Sequence, residues 1–368
     1  MNSVIKDKTF DKKSTQVTKG ILIIMMLVHH VLQGYLVEGN AVHTLFHDME
    51  LYNNIVNWCK ICISGFVFLS AYGYTCKLKE IQKEDFRSLF KNICGWIIRL
   101  EAVIIPIYII SICYKHFIIH ESIIELYTYN QQFHPIYIII DMLGLACYFG
   151  TPEINITWWY MYIAFLLILS IPFLLQAYKK WRYVLIPISL FLPLQLSSLE
   201  VRAGVQSNYA MLFPSMILGM AFAYEDWFTK IMKLQWNNKG LSYIVKLILA
   251  SAFCSLSFVM GKYVKMDFAY VFGFSIPLLS YLFFERVPII KNVLMIIGKH
   301  ATNIFLIHTF IYYYWYTKFI YSFKYDGLII VVLLCICVLV SGLLELIKRF
   351  GYNKLVNKLL CVVMDKEE

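Results

Sequence analysis

The chain predicts an all-α, polytopic membrane helical bundle of about ten transmembrane helices with both termini in the cytoplasm. Three observations carry that prediction. Of its 368 residues, 60% are apolar and only 15% are charged, with a mean hydropathy of +0.65, whereas a soluble domain is nearer one-quarter charged. Ten apolar runs are long enough to cross a hydrocarbon core of ~30 Å. The basic residues are partitioned as the positive-inside rule requires. With the N-terminus inside, 25 of the 33 Lys and Arg fall on cytoplasmic segments, six fall in outer loops, and Lys60 and Arg99 lie within helices. The net charge of +10 is therefore a topology signal and a grip on the anionic lipid bilayer, not a nucleic-acid surface. Multi-pass residence in the plasma membrane follows as the expectation.

In chain order, residues 1–19 form a basic cytoplasmic N-terminus, and spans are expected at 20–36, 55–75, 93–113, 157–177, 183–199, 208–225, 243–260, 267–285, 292–315 and 327–347. Residues 348–368 are read as a cytoplasmic tail, which leaves 20–347 as one membrane domain. The outer loop 114–156 holds an apolar segment, 136–149, that is short for a span and contains Asp141 and Gly144. Counting it as a span would reverse the charge partition downstream. It is read as a re-entrant or interfacial helix, which must be covered by protein or line a cavity. The ten cysteines fall mostly in spans, so they form no secreted disulfide framework, and Cys59-x-x-Cys62 reads as a pair of small core hydrophobes. His43-x-x-x-His47 and His116-x-x-x-His120 have helical metal-ligand spacing but no third ligand, so no metal site is assigned.

Chemistry concentrates in a few ionisable residues at membrane depth, where such groups are expensive and mark function by default. His29 and His30 lie inside the first apolar run, and Lys19 stands just before it. The eleven steps from Lys19 to His30 are ~16 Å of helix, which sets a base near the midplane beneath a cation at the helix mouth. Histidines of this kind also tie neighbouring helices together. Arg99 and Glu101, two residues apart, do not share a helix face, and each is expected to find a partner on a different neighbouring helix. His300 and His308 lie on the ninth predicted span, ~12 Å apart along a continuous helix, with His300 near the cytoplasmic mouth and His308 deep. In the second span, Gly65 to Gly73 supplies small residues for close packing, and Ser70 and Tyr72 are the polar alternatives there. Trp158, Trp159 and Tyr160 open the fourth span and read as an interfacial aromatic belt, with Trp159 as a pocket residue in the alternative.

Four of these stretches together resemble the acyltransferase-3 family of integral membrane acyltransferases. Lys19-x10-His30 is similar to that family's Arg-x10-His. Phe66-Val67-Phe68-Leu69-Ser70-Ala71-Tyr72 is similar to its Phe-Phe-x-x-Ser-Gly-Phe/Tyr. Thr157-Trp158-Trp159-Tyr160 resembles the opening of its fourth span, and Gly298-Lys299-His300-Ala301 with Phe305-Leu306-Ile307-His308 resembles its late Gly-Lys-x-Ser…Tyr-Leu-x-His. Lys19 stands where the family has arginine, no Arg-x-x-Arg is matched near the third span, and Ala164 stands where a glutamate follows the tryptophan. In these departures the chain is similar to single-domain members from Gram-positive bacteria.

The resemblance implies transfer of an acetyl or similar acyl group from cytosolic acyl-CoA to a hydroxyl of an extracytoplasmic glycan or lipid-linked sugar. It implies acetyl-CoA as a co-substrate and no bound cofactor. The family's histidine maps to His30, as general base or as acyl carrier. His308 would orient that imidazole or bind the acceptor. Lys19, Arg87, Lys91 and Arg99 would hold the donor's phosphates, and Ser70, Tyr72, Trp159, His29 and His300 would line the acceptor side. The buried ionisable residues alone also suit a transporter or flippase for a lipid-linked sugar, although no internal repeat of the kind common in transporters is visible.

Overall fold

Asp11 starts the first helix by accepting hydrogen bonds from the backbone N–H groups of Lys13 (2.8 Å) and Ser14 (2.9 Å), which satisfies two donors that the helix itself leaves unpaired. The computed structural model describes residues 10–80, 86–196, 205–235, 238–264 and 266–364. Lys6, Lys8, Lys83, Arg202, Lys265, Lys366 and the end of the predicted run 183–199 lie outside the described residues. Numbering helices of eight or more residues, these are α1 Lys12–Val31, α2 Met49–Trp58, α3 Cys62–Lys79, α4 Phe86–Phe117, α5 Pro135–Met142, α6 Trp159–Trp181, α7 Leu185–Leu196, α8 Val205–Tyr224, α9 Lys239–Tyr263, α10 Ser275–Leu282, α11 Pro288–Lys299, α12 Ala301–Thr309, α13 Asp326–Arg349 and α14 Tyr352–Met364. The only strands among the described residues are β1 Thr128–Tyr129 and β2 Gln132–Phe133, an antiparallel pair.

The chain is an all-α membrane bundle. Among the described residues, five helical stretches are long and apolar enough to cross a bilayer: Met49–Lys79, Phe86–Phe117, Ile156–Phe191, Lys239–Tyr263 and Asp326–Arg349. A sixth results if Pro288–Lys299 and Ala301–Trp315, which bend at a short break, count as one span. The runs predicted at 20–36, 208–225 and 267–285 fall on helices that do not meet that length and hydropathy, and the described part of 183–199 begins inside the stretch Ile156–Phe191 that also holds the run 157–177. The continuous helix predicted over 292–315 is corrected by the break. His300 has φ −95° and ψ 4°, and its N–H turns back to Ile297 O (3.0 Å), so the helix closes on a tight turn before α12 begins. The straight-helix spacing of His300 and His308 falls with it.

The described chain divides into two interleaved compact units. The first comprises residues 1–80, 173–301 and 324–330. In it α1 packs on α11 and α3, and α3 packs on α8. Gly298 meets the α1 backbone so closely that a Cβ would overlap the carbonyl of Gln16, while a Cβ on Gly20 would overlap that of Leu294. Small residues are what permit this approach. The small residues of the second predicted span do the same work, since Gly65 lies directly against Leu22. Thr18 adds a buried hydrogen bond to Ser280 of α10 (3.0 Å).

The second unit comprises residues 81–172, 302–323 and 331–368. Here α14 packs on α4, with Met364 Sδ over Gly95, so the C-terminal tail is a folded helix over most of its length. Segment 136–149 forms α5 and the short helix Ala146–Phe149, joined through Gly144 at φ +64°, a left-handed turn that suits glycine. Asp141 is its one fully buried residue on α5.

Candidate active site

In the first unit, α1 is unbroken from Lys19 to His30. Eleven residues are about three helical turns, so the two side chains leave one face, within roughly 20° of each other. His29 leaves α1 about 100° away from His30 and is engaged elsewhere: its Nδ1 lies 3.0 Å from the carbonyl oxygen of Val56 on α2. A carbonyl can only accept, so His29 carries its proton on Nδ1. His30 is half-buried, with its ring 5.2 Å from that of His29. Lys19 is half-buried too, and among the described residues it has no carboxylate partner; the charges it feels are those of Lys77 and Lys12. A cluster of one sign raises the local concentration of the opposite ion, here an anion.

The other predicted residues of this unit are less concentrated. His300 caps α11 just after the Gly298 contact, so the Gly298-Lys299-His300 stretch and the Lys19–Gly20 stretch meet through their backbones. Ser70 is half-buried on α3. Tyr72 donates to the carbonyl of Phe10 (3.2 Å) and stacks edge-on against Phe10 and Phe228, which is an anchor for the start of the chain.

In the second unit, Arg87 and Lys91 occupy the first turns of α4, four residues apart and hence on one face. Among the described residues, the expected cross-helix hydrogen-bond partners of Arg99 and Glu101 are not found. Arg99 is exposed and reaches only the carbonyl of Gly95 one turn back (3.4 Å), and both carboxylate oxygens of Glu101 are buried without a hydrogen-bond partner. A buried carboxylate on a spanning helix without a hydrogen-bond partner is costly.

His308 is fully buried. Its Nδ1 lies 2.7 Å from the carbonyl of Phe305 and 3.2 Å from that of Ile304, and its Nε2 lies 3.3 Å from Thr309 Oγ1. Thr309 Oγ1 is 2.9 Å from Thr157 Oγ1, which is 2.8 Å from Asn155 Oδ1. The aromatic belt expected at 158–160 is corrected here. Trp158 is buried and donates through Nε1 to the carbonyl of Leu306 (3.1 Å), fixing the start of α6 to the helix that carries His308, while Trp159 is half-buried beside Tyr160. A π-helical stretch, Phe310–Trp315, follows immediately; such turns recur at functional sites.

The segment that delivers these groups is held from the 114–156 loop. Asp141 accepts from the Tyr127 hydroxyl (2.6 Å) and from the N–H of Ile154 (2.8 Å), and Tyr127 in turn meets Tyr108 (2.8 Å). Burial holds the Asp141 carboxyl up at about 6, and burial with the Asp141 charge lifts Glu153 to about 7. Sequence reasoning named none of Asn155, Thr309 or Tyr127, and Thr157 entered it only as the first residue of the Thr157–Tyr160 stretch. One signal was available: Asn155-x-Thr157 before an apolar helix is a capping pattern, and Asn155 does cap the turn Ile156–Trp158.

The family model described as an acyltransferase domain, the acyltransferase-3 family, matches residues 13–346, nearly the whole chain. No curated protein and no solved structure matches it.

Proposed function

The chain belongs to the acyltransferase-3 family, and on that premise we propose that it moves an acetyl or similar acyl group from cytosolic acyl-CoA to a hydroxyl of an extracytoplasmic glycan or lipid-linked sugar, at the plasma membrane. The observation that carries this reading is the geometry of α1. One unbroken helix presents a cation and an imidazole on a single face, three turns apart. That is the arrangement needed to hold an anionic donor at one level and do chemistry on its far end at another.

Lys19, with Lys77 and Lys12 nearby, would attract the phosphates of the donor. Arg87, Lys91 and Arg99 would supply further charge. His30 would act as general base on the acceptor hydroxyl, or would accept the acyl group and pass it on. His308 would orient the reacting groups or bind the acceptor, with Ser70, Tyr72, Trp159 and His300 on the acceptor side.

The reading is tested with sealed vesicles holding the protein and a cell-envelope glycan in the lumen. Isotope-labelled acetyl-CoA is added to the face corresponding to the cytoplasm. Label in the lumenal glycan is expected with the wild type and lost with His30→Ala at equal abundance. Folded wild-type protein that leaves the glycan unlabelled with both acetyl-CoA and longer acyl-CoA donors would refute it.

A further inference from the structure

We propose that Lys60 is a catalytic residue whose ammonium stabilises the negative charge that develops on the donor's thioester during acyl transfer. The inference rests on the acyltransferase reading above and adds to it a residue outside the resemblance-bearing positions.

Lys60 lies well inside the spanning stretch Met49–Lys79, on the 3₁₀ turn Cys59–Ile61 that joins α2 to α3. Its neighbours on that turn, Cys59 and Ile61, are buried, and Lys60 itself is half-buried. Among the described residues it has neither a hydrogen bond nor a carboxylate partner. A lysine that only snorkels carries its charge away to the headgroups. Lys60 does not, because the charge felt by the His29 ring is that of Lys60.

The register explains why. α1 packs on the 3₁₀ turn, and His29 Nδ1 meets the carbonyl of Val56 at 3.0 Å. Lys60 follows Val56 by four residues, about one turn. Side chains on a helix lean toward its N-terminus, over the preceding turn. The Lys60 side chain therefore leans back to the level at which His29 docks. The His30 ring is 5.2 Å from that of His29, and all four residues belong to the first unit. A cation without a counter-ion thus stands beside the imidazole pair at membrane depth, where such a group is expensive.

The missing anion is supplied by the reaction. The donor's phosphates are charged at all times and fall to Lys19, about 16 Å of helix from His30. The group that reacts at the level of His30 is the thioester, which is neutral until attacked. A fixed cation there strengthens in the transition state and not before it. The attacking atom, the acceptor oxygen or the His30 nitrogen, forms a bond to the thioester carbon, and the carbonyl π pair moves to its oxygen. That pair returns as the C–S bond breaks, and the C–S pair stays on sulfur. The proton given up by the acceptor hydroxyl ends on the thiolate, so Lys60 keeps its own throughout.

The test is the vesicle assay with Lys60→Met, which keeps an apolar stem without charge, and Lys60→Arg, which keeps the charge. Rates are taken per folded molecule. Lys60→Met is expected to lower kcat by about a hundred- to a thousandfold, the scale of a lost oxyanion donor, with the donor KM unchanged. Lys60→Arg should recover much of that loss. Wild-type kcat in Lys60→Met overturns the role, as do equal losses in Lys60→Met and Lys60→Arg. A loss that appears in the donor KM alone would make Lys60 a phosphate holder and overturn it too. Lys60→Gln carries the same expectation where Lys60→Met does not fold. If both neutral variants fail to fold while Lys60→Arg folds, Lys60 is structural and the proposal falls. Wild-type protein that transfers no acyl group refutes the acyltransferase reading and this role with it, whereas an active wild type with an equally active Lys60→Met refutes this role alone.

Discussion

His29 and His308 are both histidines of helical segments, and both aim Nδ1 at a backbone carbonyl, yet they are set up for different work. The acceptor of His29 belongs to another helix, Val56 of α2, so the bond joins two elements. The acceptors of His308 are the carbonyls of Ile304 and Phe305 in its own preceding turn, so the bond joins nothing; it orients the ring. Its Nε2 lies 3.3 Å from the hydroxyl of Thr309. A carbonyl from a neighbouring helix marks a histidine as a tie. A carbonyl from its own turn orients a ring without tying it to another helix.

The sharpest way to break this comparison is to remove each ring. His308→Gln should lower the transfer rate at least ~10²-fold, in the range of a lost acid–base group, with the protein still folded. His29→Leu should leave the rate close to wild type and cost about 1 kcal/mol of stability, as polar ties between membrane helices do. Equal kinetic losses in the two variants would erase the distinction.

The next largest effect tests how firmly α1 is seated. Gly298→Ala drives a methyl group into the Gln16 carbonyl, a contact between backbones with no flexible side chain to yield. A destabilisation of ~1–3 kcal/mol is expected, read as a lower thermal midpoint in detergent. An unchanged midpoint would show that α1 and α11 do not meet this closely.

A smaller effect sharpens the other side, the support of the His308 region. Asp141 rises from 3.8 to about 6 and Glu153 from 4.5 to about 7, chiefly through burial. Both folded values lie above the unfolded ones, so the folded state holds protons that the unfolded chain releases. Their contribution to stability is fully present below about pH 4 and is lost as pH rises through 6 to 7. The thermal midpoint should therefore fall across that window. Asp141→Asn, which can still accept from Tyr127 and Ile154, should flatten part of the slope; an unaltered slope would contradict the assignment. Least of all, Tyr72→Phe removes one hydrogen bond to Phe10 and should cost about 1 kcal/mol without changing the donor KM. A raised donor KM would move Tyr72 from the acceptor side to the donor side.

These cases also show how far the sequence could be read. Hydropathy and charge identified a helical membrane protein because they report on the solvent that each helix meets. The Lys19–His30 spacing was legible because both residues share one unbroken helix. Breaks were less visible. Nothing local distinguishes His300 as a turn, since the tight contact of Gly298 with Gln16 arises between segments far apart in sequence. Trp158 looked like an interfacial aromatic for the same reason: its partner, Leu306, lies 148 residues away. The Thr157–Thr309 contact was hidden because both are ordinary residues, 152 positions apart in the chain.

His29 and His30 are adjacent on α1 and leave it about 100° apart. The decisive measurement is the initial rate of labelled acetyl transfer per folded molecule for His29→Leu and His30→Ala, side by side in the same vesicles. The account predicts near-wild-type transfer for His29→Leu and loss of at least ~10²-fold for His30→Ala. Loss in His29→Leu with transfer retained in His30→Ala would contradict it.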